Sequence, residues 1–135
     1  MTDKHDQPGA RRYYHIDPAI LLQAIDGDPA SFCALSRTFL SDAPPAFALL
    51  EQSLVQRNSG AIAQHGHALK SMTLLLGAHQ LSRRLQEIES AALAGTCDLA
   101  PVGADLAPLF DLVLQEVRSS IAALEGAAGA NPAPY

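Results

Sequence analysis

Apolar residues recur along this chain at spacings of three and four, and no stretch sustains an apolar–polar alternation. That is the period of helices that bury one face, so the expected fold is all-α. Asp17-Pro18 offers an N-cap followed by proline at the first helical position, opening a short helix with Ile20, Leu21 and Ile25 inward and Gly27 at its end. Asp28-Pro29 repeats the signal. Phe32, Leu35, Phe39, Ala43, Phe47, Leu50 and Leu54 then mark one face of a long helix reaching about Arg57. Pro44 and Pro45 fall inside it, each without an N–H, and the unbroken apolar register predicts a kink rather than a stop.

Asn58-Ser59-Gly60 reads as a turn with Ser59 as cap of a helix that runs to about Leu76, where Gly77 ends it. Ala78 to about Ala94 forms the next, with Leu81, Leu85, Ile88 and Ala92 buried. A loop from Gly95 to Gly103 leads to a last helix over about Asp105–Glu125, with Leu106, Leu109, Val113, Val117, Ile121 and Leu124 inward. Short connections make neighbouring helices antiparallel. The expected architecture is therefore an up-down-up-down four-helix bundle with a short additional N-terminal helix. The bundle is expected to occupy residues 16–125, with residues 1–15 read as a flexible leader and 126–135 as a disordered tail.

Composition narrows the function. The 135 residues carry a net charge of −5, and aromatics make up 5% with no Trp. Stacking platforms and phosphate tracking need the opposite balance, so nucleic acid is not an expected partner. No run approaches the roughly 18 apolar residues of a membrane span, and residues 1–15 lack the apolar centre of a secretory signal. Cys33 and Cys97 are isolated in apolar surroundings, as expected of buried or semi-buried thiols in a reducing cytoplasm, with a single disulfide between them as the alternative.

The chemistry concentrates in the stretch Gln64 to Ala78. At about 100° per residue, Ile62, Leu69, Met72 and Leu76 share one side, and His67 points the other way. Within about 60° of His67 lie Gly60, Ala63, Gln64, Lys70, Ser71 and Leu74 by the same arithmetic. An ordinary solvated face would carry more charge. Small residues, one cation and one leucine around a single imidazole suit docking instead. Neutral imidazole is a competent nucleophile near pH 7. Lys70, one turn on, can reach a dianionic phosphoryl group on that ring, provided a partner supplies the metal ion and aligns the phosphorus. His65 lies about 160° away and is expected to face the bundle as a hydrogen-bonded core histidine, so the two rings cannot chelate a metal together. His79, at the start of the following helix, is expected at the surface.

The run His67-Ala68-Leu69-Lys70-Ser71, followed by Gly77-Ala78, Leu81, Leu85 and Ile88-Glu89, resembles the histidine phosphotransfer (HPt) domain of multistep His–Asp phosphorelays. The resemblance extends over about Ile16 to Leu124. It implies a four-helix bundle with a phosphoaccepting histidine exposed on the second bundle helix. It implies that His67 accepts a phosphoryl group on Nε2 from a receiver-domain aspartate or a hybrid sensor kinase and passes it to another receiver. Lys70 would stabilise the phosphoryl charge, and Ala63, Gln64, Ser71, Leu74 and Glu89 would meet the partner. Glu89 matches a position where the family often has Gln or Glu near the histidine. Such a carboxylate would repel phosphate unless it holds Lys70 or the free imidazole. The family usually has glycine where this chain has Ser71, whose hydroxyl could bond a phosphoryl oxygen.

No phosphate-binding glycine loop of kinase or Walker type occurs, so no autonomous kinase activity is expected. No cofactor or metal is expected either, since no helix offers paired inward ligands. Two function classes remain: a cytoplasmic, monomeric relay protein, and a degenerate adaptor that binds receiver domains without phosphotransfer. Transfer to His67 separates them.

Overall fold

The computed structural model describes residues 13–130 except Cys97, without the side chains of 100, 102 and 127–130. Asp17 accepts a hydrogen bond from the Ala19 amide and opens α1 (Pro18–Ala24). Asp28 does the same for the Ser31 amide at the head of α2 (Pro29–Gln56). α3 (Ser59–Leu75), α4 (His79–Leu93), the single turn α5 (Ala100–Gly103) and α6 (Leu106–Ala130) complete the chain, with no strand among the described residues. α2 packs on α3, α3 on α4, α4 on α6 and α6 back on α2, closing a four-helix bundle.

The apolar stripes form its core. Leu50, Ile62, Leu69, Leu81, Leu85, Ile88, Val113 and Val117 are wholly buried. Phe47 of α2 and Phe110 of α6 stack with ring centroids 4.4 Å apart, an arrangement worth about 1 kcal/mol beyond its buried area. Interior hydroxyls find partners there: Thr73 and Ser82, both buried, bond each other at 2.8 Å across the α3–α4 seam. Cys33 is buried as expected; Cys97 lies outside the described residues.

α2 continues as one helix through Pro44 and Pro45 without the stop, as the unbroken apolar register predicts, while several other details differ from the sequence expectations. Phe39, Ala43 and Phe47 are buried on either side of the pair and hold both halves to one core. Leu35, expected inward, is 39% exposed while Ser36 is wholly buried. The middle of the buried stripe runs nearer position 36, which a search for apolar residues passes over. Asn58, not Ser59, caps α3, its side chain accepting from the Ala61 amide at 3.1 Å. α5 interrupts the expected Gly95–Gly103 loop, and α6 runs on to Ala130, five residues past its expected end.

Tyr13 to His15, placed in the leader by sequence, are tied to the bundle. Glu116 of α6 accepts from the amides of Tyr14, His15 and Ile16, at 2.7 Å from His15. The next amide, Asp17, donates to the Leu76 carbonyl at 3.1 Å. This short strap thus joins α6 to the α3–α4 turn. Gly77 makes the crossing possible. Its φ is +68°, and a β-carbon there would stand 2.7 Å from the Asp17 β-carbon. Residues 1–12 and 131–135 lie outside the description. No described helix is long and apolar enough to cross a membrane.

Candidate functional site

α3 and α4 form the tightest pair in the bundle, and the site lies on the outer edge of their seam. Gly66 lies buried in that seam, where a β-carbon would stand in ordinary contact, 4.0 Å from the Leu85 carbonyl oxygen. His67 is the next residue and turns outward, its side chain 61% exposed. Lys70, one turn further, lies along the seam with its side chain only 16% exposed. α4 supplies Glu89, 13% exposed, directly opposite.

Glu89 bridges the two. One carboxylate oxygen stands 2.9 Å from His67 Nδ1, and the other accepts from Lys70 Nζ at 2.9 Å. Lys70 above all, and His67 after burial is set against it, hold the Glu89 carboxyl below the ordinary carboxylate range. An ionised carboxylate only accepts, so neutral His67 carries its proton on Nδ1 and leaves the lone pair of Nε2 free. The bridge sets both tautomer and ring orientation. Glu89 thus holds the imidazole and the ammonium together.

The other expected residues divide. Gln64 and Ser71 are exposed beside His67, and Leu74 is half exposed. Ala63, expected on this open face, is buried at 8% exposure. Helical angle alone does not give its burial, because the neighbouring helices packed on α3 cover part of the face. The Ser71 hydroxyl donates to the His67 carbonyl at 3.1 Å, an ordinary bond within the helix, so it is not held out toward a ligand. His65 is only partly buried, at the rim of the stripe with Met72 one heptad on, and not a core residue. His79 is exposed at the head of α4, as expected.

Gln86 was not singled out by sequence, yet its side-chain oxygen accepts a hydrogen bond from Lys70 Nζ, and its amide nitrogen donates to Ser90 Oγ at 2.8 Å. Its place one turn before Glu89 on α4 is the one signal that could have found it, but the pattern of a single helix does not say which residues of its neighbour it meets.

Among the described residues no cluster of three His, Cys, Asp or Glu side chains could hold a metal ion. A family model described as Hpt domain matches residues 34–127. Among curated proteins and solved structures, none matches the chain.

Proposed function

Since the chain belongs to the Hpt domain family, whose members carry phosphoryl groups through phosphorelays, we propose that His67 is its phosphoacceptor. The exposed imidazole whose Nδ1 faces an ionised carboxylate carries this reading. Nε2 attacks the phosphorus of an aspartyl phosphate on a receiver domain. The N–P bond forms as the bond to the aspartate oxygen breaks, and the aspartate leaves as a carboxylate. No base is required, because the attacking nitrogen bears no proton. The ring becomes a cation on transfer, and Glu89 opposite Nδ1–H stabilises it. Lys70 lies one turn from His67 and faces the charge of the phosphoryl oxygens. The partner supplies the divalent cation and the alignment of phosphorus. The reverse steps deliver the group to a second receiver in the cytoplasm.

Leu74, Gln64 and Ser71 form the rim the partner meets, small and uncharged enough for close approach. Incubation with a receiver phosphorylated by radiolabelled acetyl phosphate tests the assignment. The expected product is an acid-labile, base-stable label on the wild-type chain and none on His67→Gln. Label on the glutamine variant overturns the choice of His67. Binding of the receiver with no label on wild type establishes the adaptor instead.

A further inference from the structure

Lys70 has three N–H donors and no acceptor. Glu89 takes one and Gln86 a second. Both acceptors stand on α4 at i and i+3, one turn apart on one face, so the ammonium is held between two fixed points. The Gln86 amide is not free to turn over. Its oxygen must face the cation, and its nitrogen is engaged by Ser90 one turn further along α4. The chain Ser90–Gln86–Lys70–Glu89–His67 is therefore continuous, and the Lys70–Glu89 ion pair in it stands directly against the imidazole.

The neutral acceptor changes what Lys70 can do. With Glu89 alone, the ammonium would settle on the carboxylate as a simple ion pair, neutralised and drawn toward the far side of the imidazole. Gln86 adds a second anchor that attracts without adding negative charge. It keeps Nζ along the seam, with one donor uncommitted. A dianion arriving on Nε2 then meets a cation already in place, and little of the binding interaction is lost to reorganisation.

We propose that Gln86, itself oriented by Ser90, is a positioning residue for phosphotransfer, acting through the Lys70 ammonium. This rests on the reading of His67 as phosphoacceptor. Gln86→Met keeps the length of the side chain and removes the acceptor, at an exposed position where the fold does not depend on it. Single-turnover transfer from a receiver phosphorylated by acetyl phosphate is measured over a range of receiver concentrations. The saturating rate is expected to fall roughly tenfold to a hundredfold, the scale set by an ångström-size misplacement of a catalytic group. The half-saturating receiver concentration is expected to stay unchanged, and Ser90→Ala to give a smaller loss of the same kind.

The same substitution in a Lys70→Met background separates positioning from a general structural role. No additional slowing is expected there, because the group that Gln86 positions is gone. A wild-type saturating rate for Gln86→Met overturns the inference. So does equal slowing with and without Lys70, or a change confined to the half-saturating concentration. Absence of label on the wild-type chain defeats the His67 assignment and this inference with it, whereas label on both wild type and Gln86→Met at equal rates defeats this inference alone.

Discussion

Glu89 holds an imidazole and an ammonium at the same time, and its own protonation state decides whether it does. Lys70 chiefly, then His67, keep its carboxyl below the ordinary carboxylate range. A lowered folded-state value means that the fold gains stability from this group wherever the unfolded chain's carboxylate is ionised. That gain is complete above about pH 4.3 and disappears as pH falls through the lower folded-state value. Glu89→Gln should therefore lower the denaturation midpoint at pH 7, and the difference from wild type should shrink to nothing in strongly acidic solution. Asp28, held low by Ser31, is common to both proteins and cancels in the comparison. A midpoint difference independent of pH would show that the carboxylate's charge is not what it contributes. Nitrogen chemical shifts of His67 give a second readout: at neutral pH the variant should lose the preference for the Nδ1–H tautomer.

At the scale of the helices, chain ends and turns carry information that stripes do not. Gly77 ends α3, as its spacing suggested, but it also admits the Asp17 backbone at a distance no β-carbon tolerates. Gly27 has a similar φ of +75° with nothing within 4 Å of a β-carbon. Gly27→Ala should then cost about 1 kcal/mol for the left-handed backbone alone. Gly77→Ala should cost more, about 3 kcal/mol, because the strap must also move. Urea unfolding of the two variants measures both, and equal losses would remove the close approach from the account. The helices themselves were legible because each buries one stripe against a single core: Leu81, Leu85, Ile88 and Ala92 fall where a period of 3.6 places them. The outward direction of His67 was legible for the same reason. Ala63 and Gln86 were not, because both depend on how the neighbouring helices pack on α3 and on which residues meet there. Ser36 and Thr73 escaped as polar residues in apolar positions, and the Asn58 cap differed from the expected Ser59 by one residue.

Across the whole molecule, the bundle closes on itself through four helix pairs, and the strap from Tyr13 to Asp17 crosses from α6 to the α3–α4 turn. Sequence showed no reason for the strap, since Tyr14, His15 and Ile16 contribute backbone amides to it and no pattern marks Glu116 as their acceptor. Glu116→Ala removes one acceptor from three amides. Those of Tyr14, His15 and Ile16 should exchange with solvent deuterium much faster than in wild type, and the bundle should lose about 2 kcal/mol. Unchanged protection of the three would mean that Ile16 burial alone holds the strap.

If His67 is the phosphoacceptor, as we propose, its outward stance also fixes a rule of traffic. One ring nitrogen is turned toward the bundle by Glu89, so a single atom on a convex helix remains for exchange. Two proteins cannot both close over that atom, and a donor must depart before an acceptor arrives. The throughput of such a carrier is then bounded by how quickly complexes come apart, and rival partners in excess would throttle one another without touching any second surface.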